Sequence, residues 1–356
     1  MAQGMHTVAV EGTDISFSVK KGETVLKAAA RNKIVFPSLC NVGECGSCRC
    51  SLKKGQIRLK RDVSHQISDE QMAKGDILAC QSILQSSVEL HVPTLSPANS
   101  DDPEEAKKID ARIASVVPLN GDIVELTLAL EGPLTYHAGQ FSLLFIPSHP
   151  VLCKEPRSYS LARGASTENV DTVQFHVRKV PGGVFTEWLF GEDRTGESVI
   201  LEGPFGSFAW SEPESKKSKA LFIAGGSGYA PVQALLEACR DTASIDATVV
   251  YGARTQADIY CASSVQAIQE QWQGSLRFVS ILSQEPEDSD WTGLRGFVHD
   301  HLQDVVEDLP GHSAYMCGPP PMIDACLGVL GEHIETKNIH YDKFLDRSHI
   351  SAEETA

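Results

Sequence analysis

A chain of 356 residues is too long for one ordinary core and suits two or three domains. Its hydrophobic content of 42% and charged content of 22% are those of a globular protein, and no apolar run approaches the roughly 20 residues that span a bilayer. The net charge of −16 argues against nucleic acid as a partner, and no charged segment leads into an apolar one at the start, so no secretory signal is expected.

The first segment, 1–95, opens with alternating runs at 6–10 and 15–19 joined by Glu11-Gly12-Thr13-Asp14, a hairpin signal. Residues 24–32 follow as a helix, with Val25, Leu26, Ala28, Ala29 and Ala30 as its apolar face. Then come Cys40, Cys45, Cys48 and, after a long gap, Cys80. This C-x4-C-x2-C…C spacing is the ligand pattern of a plant-type [2Fe–2S] cluster. Gly43 and Gly46 let the loop curl so that its N–H groups face the sulfurs and disperse their charge. Zinc is the competing reading, but zinc sites usually pair two short knuckles and only one short pair is present. Cys50, two residues past Cys48, is read as a non-ligand. A strand at 88–92 closes the segment. Residues 96–108, rich in Pro, Ser and acidic side chains, read as a linker.

Residues 109–212 carry short strand-like runs at 111–117, 123–130, 140–146, 173–177 and 198–201, separated by Gly, Pro and Asn turns. That spacing predicts a closed antiparallel β-barrel. From 213 to 346 strand and helix patterns alternate: a strand at 221–224, a helix at 230–240, a strand at 247–251, and so on to 314–317. That is the rhythm of a parallel α/β sheet. Residues 347–356 are left as a tail. Four further cysteines, Cys153, Cys239, Cys261 and Cys326, fall in segments read as ordinary strand or helix and are expected to be small buried residues.

Four motifs in these last two segments carry chemistry. Arg157-Ser158-Tyr159-Ser160 would place Arg157 and Tyr159 on one face of a strand. A flavin needs such a set: a guanidinium for phosphate, an aromatic plane for the ring, and a hydroxyl near N5. Arg178 to Thr186 runs through Gly182 and Gly183 into a helix, freeing N–H groups for a pyrophosphate, and Thr186 is a good cap residue. The turn Gly225-Gly226-Ser227-Gly228-Tyr229-Ala230-Pro231 lies between the first strand and first helix of the sheet, where a dinucleotide pyrophosphate binds. Cys317-Gly318-Pro319-Pro320-Pro321-Met322 ends a later strand at the carboxyl edge of the same sheet.

In this order, the cluster loop and these motifs resemble the ferredoxin-fused branch of the ferredoxin–NADP reductase superfamily. More closely, the chain resembles NADH-dependent reductase components of bacterial oxygenases, including those of ring-hydroxylating dioxygenases and multicomponent monooxygenases, on CGSCRC, ILACQSIL, FHVRKVPGG and IHYDKF. The likeness runs over about 5–346 and implies three parts: a β-grasp [2Fe–2S] ferredoxin domain, an antiparallel β-barrel FAD domain and an α/β parallel-sheet NAD domain. It implies cluster ligation by Cys40, Cys45, Cys48 and Cys80. It assigns Arg157, Ser158, Tyr159 and Ser160 to the flavin, with Ser160 at N5. His176, Val177, Arg178, Gly182, Gly183, Val184 and Thr186 join them on the cofactor. Gly225, Gly226, Ser227, Gly228, Pro231, Cys317 and Gly318 fall to the nicotinamide nucleotide, and Phe344, favoured over Tyr341, to the flavin face that meets it. Ser160, Cys317 and Phe344 are the implied catalytic residues. Phe141 stands where a Tyr is common.

The implied activity moves electrons from NADH through FAD and the cluster to a terminal oxygenase in the cytoplasm, with a Rieske ring-hydroxylating dioxygenase of aromatic hydrocarbon catabolism favoured over a di-iron monooxygenase. A permanent, non-catalytic electron-transfer subunit or a redox sensor are the alternatives, and no output segment remains for a sensor. Residues 1–95 hold 12 basic and 9 acidic residues, a net of +3 that leaves −19 for the rest. Six basic residues lie just past the cluster loop: Arg49, Lys53, Lys54, Arg58, Lys60 and Arg61. They are read either as a solvated face or as a docking surface for an acidic oxygenase. For the coenzyme, NADPH-specific relatives place Ser-Arg after the third strand. Here Ser283-Gln284-Glu285-Pro286-Glu287-Asp288 follows 276–282, and three carboxylates oppose a 2′-phosphate. Arg254 is the one nearby cation, so a preference for NADH is expected and not exclusion of NADPH.

Overall fold

The computed structural model describes residues 5–36, 38, 40–43, 46–64, 66–93, 96–97, 106–164, 166–210, 219–240 and 245–344, with 96–97 and 166–169 described at the backbone only. The chain divides into two compact units whose described parts run 5–97 and 106–344.

The first unit begins with the hairpin β1 (His6–Val10) and β2 (Ser16–Val19), and helix α1 (Val25–Arg31) follows. The Thr24 hydroxyl accepts the Lys27 N–H and caps α1, a contact worth about 1 kcal/mol. Val25, Ala28 and Ala29 are buried on β1 and β2 residues Val8, Phe17 and Val19. The unit continues through β3 (Ile34–Val35), β4 (Arg49–Lys54), β5 (Ile57–Leu59), α2 (Asp69–Ala73), β6 (Asp76–Leu78), β7 (Ser82–Leu84), β8 (Val88–His91) and β9 (Ser96–Pro97). Its main sheet has the order β2-β1-β8-β4-β6, with β1 and β8 parallel.

The second unit holds two sheets. The first is built from β10 (Lys107–Pro118), β11 (Ile123–Tyr136), β12 (Phe141–Phe145), β13 (Arg157–Ser160), β14 (Ser166–Arg178) and β15 (Ser198–Phe205), with helix α3 (Val184–Gly191) before β15. Their order is β13-β12-β15-β10-β11-β14. The two ends meet through a bridge between Leu161 and Phe175 and a bond from the Ala162 N–H to the Gln174 carbonyl at 2.9 Å. The sheet therefore curls on itself around Leu126, Leu128, Leu144 and Phe175.

Two strands outrun the lengths expected from sequence. β10 starts at Lys107, inside the stretch read as linker, because Lys108 pairs with Glu202 at 3.8 Å and lies over the Phe145 ring. β11 passes through Glu131-Gly132-Pro133, turn residues that here form an irregularity between Ala129 and Leu134 without ending the strand.

The second sheet contains β16 (Lys219–Gly225), α4 (Tyr229–Arg240), β17 (Ala247–Ala253), α5 (Ala262–Gln269), β18 (Leu276–Leu282), β19 (Leu294–Arg295), α6 (Val298–Val305), β20 (His312–Gly318), α7 (Pro320–Leu330) and β21 (Ile339–Lys343). All strands are parallel, in the order β19-β18-β17-β16-β20-β21. The order reverses between β16 and β20, and a ligand crevice is expected at the carboxyl ends of those two strands. Cys239, Cys261 and Cys326 are buried as expected. Cys153 is not: it lies half-buried in the turn after Leu152.

Candidate functional site

In the first unit, Cys40, Cys48 and Cys80 are buried to 9%, 3% and 4% exposure. Cys45 lies outside the described residues. Within the loop Asn41, Gly43 and Gly46 all have positive φ, so the backbone coils tightly. A Cβ on Gly43 would sit 2.7 Å from Gln81 Cγ, and one on Gly46 2.7 Å from Gln66 Oε1. Gln81 thus packs the loop against the turn that carries Cys80, and its amide N–H points at the Cys80 sulfur at 3.5 Å. Buried thiols from two segments, with an N–H donor beside one of them, fit a sulfur-ligated cluster. Cys50 sits within β4 opposite Ile77, and burial pushes its thiol up to about 12.

Of the basic residues past the loop, Lys53, Lys54, Arg58 and Lys60 are exposed. Lys54 pairs with Glu89 at 2.6 Å, and the Arg49 guanidinium donates to the Gln66 carbonyl.

In the second unit, β13 carries Arg157, Ser158, Tyr159 and Ser160 beside β12. The Arg157 guanidinium donates to the carbonyls of Glu155 and Pro156. The Tyr159 ring lies 5.0 Å from that of Phe185 in the first turn of α3, and burial pushes its phenol far up. Two motifs separated in sequence are thereby adjacent. Thr186 does not cap α3: the N-cap is Gly183, and Thr186 lies in the first turn. Its hydroxyl donates to the Val180 carbonyl at 2.9 Å and accepts the Val180 N–H, so it braces the glycine loop. Gly182 has φ +71 with nothing within 4 Å of an added Cβ, which leaves open space there. Val177 is fully buried in the barrel core and offers only its backbone, while Val184 packs at the core's edge.

The two sheets of this unit meet through polar contacts. His176 Nδ1 is 3.1 Å from the Tyr260 hydroxyl. Arg178 and Arg254 both donate to Asp122, at 3.2 and 3.1 Å, and Arg254 also pairs with Asp258 at 3.0 Å. The Gly164 N–H and Arg163 both reach Glu237.

At the carboxyl edge of the parallel sheet, Ala224 pairs with Cys317. A Cβ on Gly228 would lie 2.3 Å from the Cys317 carbonyl oxygen, and one on Gly318 3.1 Å from the Gly225 nitrogen. The glycine turn and the Cys317-Gly318 turn are in direct contact, and only glycine permits the approach. Ser227 is half-exposed on that turn, and Pro231 is in the first turn of α4. Cys317 is fully buried; burial first and the Asp342 carboxylate second push its thiol well up. The Phe344 N–H donates to the Gly318 carbonyl.

Beyond β18, the Gln284 N–H donates to the Arg254 carbonyl. The Glu285 carboxylate accepts both the N–H and the side-chain amide of Gln256, at 2.7 and 2.9 Å. Arg295 donates to the carbonyls of Glu285 and Pro286. Both guanidinium groups at this edge are therefore already engaged. Asp122, Asp258, Tyr251 and Tyr260 were not singled out from sequence, and no local motif marks them.

These features match known proteins along the whole chain. The 2Fe-2S iron-sulfur cluster binding domain family matches residues 8–85, the oxidoreductase FAD-binding domain family 110–210, and the oxidoreductase NAD-binding domain family 222–327. The xylene/toluene monooxygenase electron transfer component XylA of Pseudomonas putida is 33% identical over 320 residues, 90% of this chain and 87% of the relative. The phenol 2-monooxygenase reductase component DmpP of a Pseudomonas species is 30% identical over 354 residues, 98% of this chain and 96% of the relative. Among solved structures, the Amycolatopsis cytochrome P450 reductase GcoB superimposes with a TM-score of 0.79 at 29% identity, covering 96% of this chain and 99% of that one. The ferredoxin reductase of carbazole 1,9a-dioxygenase gives 0.78 at 26% identity, covering 96% and 98%. Among the described residues no helix is long and apolar enough to cross a membrane. With its [2Fe–2S], FAD and NAD domains in one chain, the protein belongs to the ferredoxin-fused, NADH-dependent reductase components of multicomponent oxygenases.

Proposed function

We propose that the four thiols Cys40, Cys45, Cys48 and Cys80 hold the cluster and that the flavin lies between β13 and the start of α3. In this reading Arg157 and the N–H groups in the first turn of α3 take its phosphates, since the Gly182 and Gly183 N–H groups are held by the Glu187 carboxylate and the Val180 carbonyl, and Tyr159 and Ser160 take its ring. The dinucleotide lies across the carboxyl ends of β16 and β20, on the 225–228 turn and beside Cys317. Bound there, FAD would supply hydride acceptance from NADH and the cluster single-electron transfer to the acceptor. The residues supply geometry and not acid–base chemistry. Cys317, protonated and fully buried, presents a small uncharged wall; Phe344, tied to Gly318, closes the same corner. The observation that carries this reading is the contact of Gly228 with the Cys317 carbonyl, which joins the two turns into one floor.

The acceptor is a terminal oxygenase. The relatives named above serve monooxygenases as well as a dioxygenase, so the ring-hydroxylating class favoured from sequence stands beside the monooxygenase class. Lys53, Arg58 and Lys60 are proposed to steer that partner. A reduced cytoplasmic setting suits a cluster held by thiolates. The test compares NADH-driven reduction of ferricyanide and of cytochrome c. Cys48→Ser should keep the first and lose most of the second; unchanged cytochrome c reduction would remove the cluster from the exit path.

A further inference from the structure

Tyr260 belongs to none of the motifs, yet its hydroxyl joins two elements that the proposed function puts on different cofactors. It lies 3.1 Å from His176 Nδ1 on the barrel strand β14 and 3.3 Å from the Gly226 carbonyl oxygen in the glycine turn. A carbonyl oxygen only accepts, so the Tyr260 proton goes to Gly226. The phenol oxygen then offers only lone pairs to His176, and Nδ1 must carry the ring proton. With the Tyr260 proton on Gly226, the chain runs from His176 Nδ1–H to Tyr260 O–H to the Gly226 carbonyl.

The ring cannot swing away from this position. Tyr260 packs edge-on against Tyr229 and Tyr251 at 5.9 and 6.1 Å and against His176 at 5.4 Å. The Tyr251 hydroxyl also approaches the Gly226 carbonyl, at 3.4 Å. Gly226 needs such support. It is in the left-handed region at φ +55, and an added Cβ there would find only Arg178 Nη1, at 4.0 Å. Gly228, in contrast, is wedged against Cys317. Packing fixes one end of the turn; at the other, the Gly226 carbonyl is held by the Tyr229 N–H together with the two hydroxyl groups.

A trans peptide is planar, so its C=O and the next N–H point in opposite directions. Drawing the Gly226 carbonyl into the tyrosine cluster turns the Ser227 N–H away from it. We propose that Tyr260 is a positioning residue for the dinucleotide: through the His176–Tyr260–Gly226 chain it aims the Ser227 N–H at the coenzyme pyrophosphate. This rests on the reading that the 225–228 turn holds that pyrophosphate.

The test is anaerobic stopped-flow reduction of the flavin in the full chain loaded with FAD and cluster, using Tyr260→Phe, which keeps the ring and removes the hydroxyl. The Kd for NADH should rise about five- to tenfold, the effect of one net hydrogen bond. The limiting reduction rate and FAD content should hold within about twofold, since no transition-state contact is removed. Reduced nicotinamide mononucleotide has no pyrophosphate, so its Kd should not move. An equal rise for both donors, or an unchanged Kd for NADH, overturns the proposal. Gly226→Val separates the two levels. If it weakens NADH binding while Tyr260→Phe does not, the turn is the pyrophosphate site and the tyrosine chain is not its support. If neither variant changes NADH binding, the turn itself has been misread and the proposal falls with it.

Discussion

The main-chain N–H of Phe344 donates to the carbonyl of Gly318 at 2.9 Å, which holds the residue after the last strand against the turn that follows Cys317. Its ring is half-buried on the cluster that contains Cys317 and Tyr229, whereas Tyr341 is 40% exposed. Strand alternation explains the difference, since Asp342 pairs with Cys317 and turns inward while Tyr341 turns out. Phe344→Ala should therefore shift the flavin absorbance bands and alter the preference between NADH and NADPH. A spectrum and a coenzyme ratio identical to those of the parent would place Phe344 outside the site.

His176 makes the second unit sensitive to acid. Burial, aided by the Arg163 charge, lowers its pKa to about 4. The groups facing it are the Tyr260 hydroxyl, the Tyr229 ring and, at 4.0 Å, Glu125. Unfolded, the ring titrates near 6.5, so the unfolded state binds more protons between these values. Stability is then full above about pH 6.5 and is lost as the pH falls toward about 4. The whole shift corresponds to about 3 kcal/mol. His176→Asn keeps an amide N–H near the place of Nδ1 and does not titrate. Its urea midpoint should fall less than that of the parent between about pH 7 and about pH 4.5. Parallel falls would show that the His176 ring charges freely in the folded protein.

Covalent chemistry explains what was legible in sequence. A cluster fixes cysteine spacing, and a strand that bears R-x-Y-S or ends in C-G-P keeps its residues together, so these sites can be read along the chain. The contacts that tie the sheets together cannot. His176 meets Tyr260 across 84 positions and Asp122 meets Arg254 across 132. Each side chain alone is an ordinary strand or turn residue, and its role exists only once the barrel has docked. Local rules misled at two places. Thr186 has the chemistry of a cap but sits inside the first turn, because Gly183 already has the extended conformation that a cap needs. Glu131-Gly132-Pro133 has the composition of a turn, yet the pairing on either side of it carries β11 onward to Tyr136.

The basic residues past the cluster loop make a prediction about salt. Lys54 is paired with Glu89 and Arg49 is drawn to the Gln66 carbonyl; Lys53, Arg58 and Lys60 are exposed to solvent, where an acidic partner would meet them. Reduction of the partner oxygenase should slow steeply once the Debye length falls below about 8 Å. Ferricyanide reduction, which needs no docking, should respond much less. Equal salt sensitivity in both assays would make these residues a plain solvated face.

Coenzyme choice turns on whether a cation is available to the adenosine 2′-phosphate. Sequence left Arg254 as the one group able to soften a preference for NADH. In the folded chain its guanidinium is held by Asp122 and Asp258, at 3.1 and 3.0 Å, and both carboxylates favour its staying there. Gln284 occupies the position where an Arg would serve, and Glu285 is fixed on Gln256 with its pKa lowered by those bonds, so a negative charge remains at the edge. A dianion arriving there meets carboxylates and two guanidinium groups, Arg254 and Arg295, that are already engaged. The ratio of kcat/KM should favour NADH by at least about tenfold, or about 1.4 kcal/mol of transition-state binding. Asp122→Asn removes one of the two charges that hold Arg254. It should narrow the ratio by about two- to fivefold, the range expected of one partly exposed ion pair, mainly through a lower KM for NADPH. Equal or better use of NADPH by the parent would mean that the adenosine end lies elsewhere than beside Arg254 and Glu285.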